Sequence, residues 1–105
     1  MEIDFRTSKH KKLYQDYTSL KGKYGSVQAE LIITRINELE AAESLYDIKC
    51  VPQARLHKLG QNRKGQFAID IKHPYRIILR PLNGNILDLK TITSIEILEI
   101  YIDYH

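Results

Sequence analysis

The chain changes its hydrophobic period about halfway along. In the first half apolar residues recur every three or four positions, which is typical of amphipathic helices, whereas the second half alternates apolar and polar residues like strands. Before both, Ile3 and Phe5 alternate with charged residues and predict a short first strand. This order of elements predicts an α+β fold in which helices cover one face of a sheet.

Two amphipathic helices are predicted before residue 50. Thr7 or Ser8 can cap the first helix, and Gly25 ends it, so that Ser26 can begin the second. The apolar stripe of the first helix consists of Leu13, Tyr17, Leu20 and Tyr24. The stripe of the second consists of Ala29, Ile32, Ile36 and Leu39, and its glutamates, including Glu43, lie largely on other faces. Together the two helices form an N-terminal helical hairpin.

The second half of the chain predicts a small, mainly antiparallel twisted sheet. The strand candidates are residues 54–59, 66–72, 75–80 and 94–103, and the loop 60–65 follows the first of them. Between the two middle strands His73 and Pro74 form a tight turn, since proline has no amide hydrogen to donate to a strand ladder.

Alternation gives the two middle strands a core face and an outer face. The predicted core positions are Phe67, Ile69, Ile71, Tyr75, Ile77 and Leu79. The outer face is predicted to carry basic and imidazole groups, with Arg63 and Lys64 arching over it from the loop. Its other basic or imidazole members are Arg55, His57, Lys72, Arg76 and Arg80, and alternation also puts Ala68, Asp70 and Ile78 on this face.

Length and composition restrict the class of protein. At 105 residues and 43% hydrophobic, residues 1–105 are the size of one domain with one modest core. A single cysteine excludes an internal disulfide framework and a cysteine metal cluster. The sequence has no apolar run of signal-peptide or membrane-spanning length, so a cytoplasmic protein with no membrane contact is expected.

The net charge of +3 is unevenly distributed along the chain. Residues 49–80 contain eight Lys or Arg and only one acid, Asp70, which gives this segment +7. Residues 25–48 carry −4 and residues 81–105 carry −3. A patch of one sign on a small domain is typical of a polyanion partner, either nucleic acid or an acidic protein, although a solvated face has the same composition.

The residue types on the predicted outer face fit acid-base cleavage of RNA. Such cleavage needs a group that deprotonates a ribose 2′-hydroxyl, cations around the phosphorane, and a proton donor for the 5′-oxygen. Histidine suits the proton transfers, and the planar fork of arginine suits the phosphate. Tyr104 and His105 can reach this face from the last strand. A structural alternative remains open, in which Arg76 pairs with Asp70 and His57 is an ordinary surface residue.

Two segments resemble the HigB-type plasmid maintenance system killer toxins of the RelE/ParE superfamily. They are LHKLGQNRKGQFAIDIKHPYRIIL, residues 56–79, and IEILEIYIDYH, residues 95–105. The resemblance implies the toxin of a bacterial type II toxin-antitoxin system. Such a toxin is an endoribonuclease that enters the ribosomal A site and cuts mRNA by 2′-hydroxyl attack, with no metal or other cofactor. The implied partners are a helix-turn-helix antitoxin of the HigA type, the ribosome with its mRNA, and operator DNA through the antitoxin.

The resemblance also assigns site residues. It implies a catalytic set of His57, Arg63, Arg76, Tyr104 and His105, in which Arg76 binds the scissile phosphate. Other basic and imidazole residues of the basic segment 49–80 are predicted to bind RNA: Arg55, Lys58, Lys64, Lys72, His73 and Arg80. Gly60 and Gln61 stand where many relatives have Lys-Gly, and Lys72 replaces the arginine of some members, losing its bidentate fork.

Two further functions are compatible with the same fold. One is a ParE-like toxin that inhibits DNA gyrase by binding protein, although such an inhibitor has no use for a proton-transfer set. The other is a degenerate toxin that acts only through antitoxin binding and operon autorepression, and Gly60 in place of a lysine favours it.

Overall fold

A computed structural model describes residues 1–102, with side chains described through Ile100. The strands are β1 (Glu2–Phe5), β2 (His57–Lys58), β3 (Phe67–Asp70), β4 (Tyr75–Pro81) and β5 (Ser94–Ile102). The helices are α1 (Ser8–Tyr14), α2 (Tyr17–Tyr24), α3 (Ser26–Ala41) and α4 (Leu45–Lys49). The strands form one sheet in the order β1-β5-β4-β3-β2, antiparallel throughout except for the parallel pair β1 and β5. The predicted α+β fold with a mainly antiparallel sheet is confirmed.

The hairpin of α2 and α3 supplies the helical side of the main core. All four predicted stripe residues of α3 are buried, and so is Leu20 of α2. They belong to the same buried cluster as Phe67, Ile69, Ile77 and Leu79 from the sheet. Burying side chains of this size contributes about 1.5–3 kcal/mol each, so this layer is the main source of stability. No helix in the described part of the chain has the length and apolarity to cross a membrane.

The first predicted helix is in fact two helices. The Asp16 carboxylate accepts hydrogen bonds from the amide of Thr18 at 3.1 Å and from the hydroxyl of Ser19 at 2.7 Å, and so it caps a new helix at Tyr17. The break changes the buried face: Tyr17 is 38% exposed, while Tyr14 is buried. Burial also raises the pKa of Tyr14 to about 12.

Three other elements are shorter than the sequence predicts. The strand predicted for residues 66–72 is Phe67–Asp70. The strand predicted for residues 54–59 is reduced to His57–Lys58, because Pro52–Ala54 form a 3₁₀ turn and Arg55 adopts a left-handed φ of 45°. The second predicted helix ends at Ala41, which leaves Glu43 outside it, and the short helix α4 follows.

The outer face of the sheet carries a second, smaller apolar cluster. Ala68, Ile78 and Leu98 are buried there, and Leu59 packs against them. Leu98 lies at a β-bulge, since Ile78 pairs with Glu99 while the next residue of β4 pairs with Ile97. This cluster divides the polar residues of the outer face into two groups.

The loop between β4 and β5 depends on a glycine. Gly84 has a φ of 73°, and a Cβ there would overlap the carbonyl of Thr91. We expect Gly84→Ala to lower the free energy of unfolding by about 1–3 kcal/mol, the usual cost of a strained backbone position. Urea denaturation followed by circular dichroism measures this. Gly60→Ala is the control, because a Cβ there meets nothing within 4 Å, and equal midpoints for the two variants would contradict the prediction.

Candidate functional site

Four residues of β2, β3, β4 and the segment before β2 form a closed ring of polar contacts on the outer face. The Arg76 Nε lies 3.5 Å from Asp70 Oδ1, and Arg76 Nη1 lies 2.7 Å from His57 Nε2. The other ring nitrogen of His57, Nδ1, lies 2.8 Å from the carbonyl oxygen of Arg55. Arg55 Nη1 closes the ring at 3.4 Å from Asp70 Oδ2. Strand pairing explains part of this geometry, since Asp70 and Arg76 are directly opposite each other.

The two hydrogen bonds of His57 define its tautomer. A guanidinium group only donates hydrogen bonds, so His57 Nε2 accepts from Arg76 and carries a lone pair. A carbonyl only accepts, so Nδ1 carries the hydrogen and donates to Arg55. The imidazole is therefore neutral, with its basic nitrogen next to an arginine. When Arg76 turns its donor to a bound group, the lone pair of Nε2 becomes available to accept a proton from that group.

Asp70 is the acid on which this ring depends. Its side chain is 17% exposed, and the buried Oδ1 accepts no hydrogen bond among the described residues. The charge is instead balanced by the guanidinium groups of Arg76 and Arg55 on either side. A carboxylate placed in this way holds the largely buried guanidinium of Arg76 and, through it, orients His57, whereas the Arg55 side chain stays mostly exposed. The structural pairing of Arg76 with Asp70 and the contact of Arg76 with His57 thus exist together.

Helix α3 holds the β3–β4 turn from the other side of the sheet. Buried Arg35 donates from Nε to the carbonyl of Asp70 at 2.8 Å. Buried Gln28 exchanges two hydrogen bonds with the backbone of Lys72, at 2.7 and 3.1 Å. Glu38 in turn pairs with Arg35 at 2.9 Å. These positioning residues were not predicted from the sequence. Polar residues seven positions apart, beside the apolar stripe of the helix, could have indicated them.

The second polar group of the outer face combines arginines with acids from β5. Arg80 donates from Nε to Glu96 at 2.7 Å, and Arg63 forms an ion pair with Glu99 and donates to Gln66 at 3.1 Å. The acids belong to the segment with net −3, which strand pairing brings beside the basic one. The face predicted as basic and imidazole-bearing, with Asp70 on it, also receives acids from β5. Three acids, Asp70, Glu96 and Glu99, lie among its arginines.

Other predicted site residues lie away from the ring. Lys58 and Lys64 line a cleft of about 290 Å³ at the β2 edge, so Lys64 does not arch over the outer face. Lys72 and His73 are exposed at the turn between β3 and β4. Tyr104 and His105 lie outside the described residues. Among residues 1–102 no group of three or more His, Cys, Asp or Glu is placed to hold a metal ion.

Comparisons with known proteins agree with this fold. A family model described as the RelE-like toxin HigB of type II toxin-antitoxin systems matches residues 3–105. A solved structure described as a YoeB/ParE toxin from Agrobacterium tumefaciens superposes with a TM-score of 0.55 at 15% identity. That superposition covers 99% of this chain and 100% of the other. The comparison with curated proteins gives no match.

The ring predicts a specific effect of neutralising Asp70. In the unaltered chain, ¹⁵N spectra of the imidazoles at neutral pH should show His57 as the Nδ1-protonated tautomer. Asp70→Asn should shift His57 toward a mixture of tautomers, because Arg76 is then no longer held against Nε2. Glu96→Gln is the matched control, since it removes a carboxylate of similar exposure from Arg80, outside the ring, and should leave His57 unchanged. An unchanged His57 tautomer in folded Asp70→Asn would show that Asp70 does not position it.

Proposed function

We propose that this chain, which belongs to the HigB-like family of RelE-like toxins of type II toxin-antitoxin systems, is an endoribonuclease that cleaves mRNA in the ribosomal A site. The observation that carries the proposal is the 2.7 Å contact between Arg76 and the basic nitrogen of His57. Attack by a ribose 2′-hydroxyl on the adjacent phosphate needs a base and a phosphate ligand side by side. His57 and Arg76 supply that pair.

The proposed reaction assigns each group one task. When RNA binds, Arg76 turns its Nη1 donor from His57 to a phosphate oxygen, which leaves the lone pair of His57 Nε2 available. His57 Nε2 then removes the proton of the 2′-hydroxyl, whose oxygen bonds to phosphorus. Arg76, anchored by Asp70, stabilises the charge that develops on the phosphate oxygens. The bond from phosphorus to the 5′-oxygen breaks, and Tyr104 or His105 protonates that oxygen. The products are a 2′,3′-cyclic phosphate and a free 5′-hydroxyl.

The register of β5 supports including Tyr104 and His105. Tyr101 is opposite Arg76 in the sheet, and Ile102 is opposite Tyr75. The chain therefore leaves the described strand at the corner of the sheet that holds the ring. Tyr104 follows two residues later, within about 7 Å of extended chain. This register of β5 is the reason that Tyr104 and His105 stay in the proposed reaction.

The remaining basic residues are proposed to bind RNA. Arg63 and Arg80 lie farther along the same face as Arg76, and Arg63 also stays in the proposed catalytic set. Lys58 and Lys64 flank the cleft at the β2 edge. The other members of the RNA-binding set are Arg55, Lys72 and His73. Together they supply the phosphate contacts that an RNA-protein complex needs for affinity.

The partners follow from the family and from the proposed activity. A type II toxin is neutralised by an antitoxin, and we propose a helix-turn-helix protein of the HigA type that covers the basic residues of the outer face. Operator DNA is then contacted through the antitoxin. Cleavage of mRNA on the ribosome requires a cytoplasmic protein.

The mixed character of the outer face also fits a second function, the binding of a protein. The acids Asp70, Glu96 and Glu99 and the apolar cluster around Ile78 give the outer face a mixed character, and mixed surfaces of this kind also bind proteins. A ParE-like inhibitor of DNA gyrase would use such a face without chemistry. A degenerate toxin, in which Gly60 replaces a needed lysine, would use it for its antitoxin alone.

Inducible expression in bacteria tests the proposal and its alternatives. The unaltered chain should arrest growth and produce new mRNA 5′ ends in register with codons. Arg76→Ala should reduce cleavage about 100-fold or more, the usual cost of removing a group that stabilises transition-state charge. Mapping of mRNA 5′ ends measures both effects.

Two further variants control this experiment. Arg76→Lys keeps a cation opposite Asp70, so it separates loss of the arginine fork from loss of the ion pair. Lys49→Ala removes a charge from the helical side and should leave arrest unchanged. Arrest without new 5′ ends indicates a protein target such as gyrase, and no arrest from the soluble unaltered chain indicates a degenerate toxin.

A further inference from the structure

A polar cleft on the outer face lies beyond the ring, and no step of the proposed reaction is assigned to it. Its volume is about 310 Å³, roughly ten water volumes. The lining combines three arginines with a carboxylate, an amide and one apolar residue: Arg6, Arg63, Arg80, Glu96, Gln66 and Leu98. The sequence analysis assigned no function to Arg6, which lies directly after β1, far along the chain from the basic segment.

Arg80 is anchored in a way that leaves its terminal nitrogens available. Arg80 uses only Nε to donate to Glu96, and neither of its terminal nitrogens takes part in a hydrogen bond or ion pair within residues 1–102. Arg63 is held over the cleft by Glu99 and Gln66. The acids therefore orient the guanidinium groups from one side. Orientation of this kind prepares a site for an anion on the other side.

Arg6 supplies the unbalanced charge of the cleft. Its backbone amide donates to the carbonyl of Ile97 at 3.0 Å, which fixes the residue at the end of β1 beside β5. Its side chain is exposed and makes no hydrogen bond or ion pair with any residue that the structure describes. Glu96 and Glu99 balance Arg80 and Arg63, so the positive charge of Arg6 remains for a ligand.

The cleft is aligned with the site of the proposed reaction. Arg76 and Arg80 project from the same face of β4 and are four residues apart, which corresponds to about 13 Å along a strand. Arg63 lies between them, because its partner Glu99 is opposite Ile78. A strand whose scissile phosphate contacts Arg76 therefore passes Arg63 and reaches Arg80 within a few nucleotides.

We propose that the cleft formed by Arg6, Arg63 and Arg80 binds a phosphodiester group of the RNA strand that occupies the site of His57 and Arg76. This inference rests on the proposed function and adds to it a second phosphate site a few nucleotides from the bond that is cut. Arg6 and the terminal nitrogens of Arg80 hold the phosphate oxygens, while Glu96 keeps Arg80 in place. Ribosomal RNA offers the same chemical group, and the experiment separates the two sources.

The test is the salt dependence of binding to a single-stranded RNA oligonucleotide. Its riboses carry 2′-O-methyl groups, so the full chain binds it without cutting it. Each neutralised phosphate of a single strand contributes about 0.7 to the slope of log affinity against log salt. We expect Arg6→Gln to lower that slope by about 0.7 and the affinity about five-fold near 0.1 M salt. Lys49→Gln, which removes a charge from the helical side, should change neither.

A double variant distinguishes one shared phosphate from two separate surface charges. If Arg6 and Arg80 hold the same group, Arg6→Gln with Arg80→Gln should lower the slope by less than the sum of the single changes. Strictly additive slopes would overturn the proposal. The proposal would also be overturned if Arg6→Gln had no effect, or if the unaltered chain did not bind the oligonucleotide measurably. If Arg6→Gln weakened only binding to ribosomes lacking mRNA, the cleft would be assigned to ribosomal RNA and the proposal would likewise be wrong.

This test is independent of the test of the proposed function. If Arg6→Gln has no effect on the slope while Arg76→Ala still abolishes mRNA cleavage, the phosphate site is wrong and the nuclease remains. If the slope falls as expected but the unaltered chain cuts no mRNA on expression, the RNA-binding cleft remains and the nuclease is wrong.

Discussion

The candidate site depends on one partly buried carboxylate. Asp70 is held at the end of β3 by the strand opposite and by Arg35 of α3, and its two oxygens face Arg76 and Arg55. A partly buried charge is costly unless it is paired, so both arginines are drawn to it. Arg76 then contacts His57, whose tautomer follows from that contact and from the carbonyl of Arg55. A single acid in the most basic segment of the chain therefore organises the groups proposed to carry the chemistry.

The same principle governs the rest of the outer face. Strand β5 belongs to an acidic segment, and its pairing with β4 brings Glu96 and Glu99 among the arginines. Each acid neutralises part of the basic charge and at the same time fixes a guanidinium group in one orientation. The face therefore attracts a distant polyanion less strongly, but its arginines are already positioned when the polyanion binds. Preorganised donors of this kind contribute more to the binding of a phosphate than the same number of mobile side chains.

The sequence predicted the fold well because the fold is encoded locally. The period of the apolar stripe in α3, the alternation in β3 and β4, and the turn at His73 and Pro74 all have direct physical causes in the neighbouring residues. The break at Asp16 and the loss of the strand before His57 came from capping and backbone conformation that periodicity does not register. The placement of Glu96, Glu99 and Arg6 beside the arginines of β4 depends on the order of strands, in which β5 lies between β1 and β4. Separate segments of the sequence do not reveal which of them become neighbours in the sheet.

If this chain cuts RNA by attack of the RNA's own 2′-hydroxyl on the adjacent phosphate, cleavage must depend on that hydroxyl, which can be measured directly. Purified chain is added to ribosomes programmed with an mRNA that carries a ribose or a 2′-deoxyribose at the mapped cut. We expect cleavage of the ribose message to a 2′,3′-cyclic phosphate and no cleavage at the deoxy position. Cleavage that continues at the deoxy position, or an absence of cleavage in both messages, would contradict this mechanism.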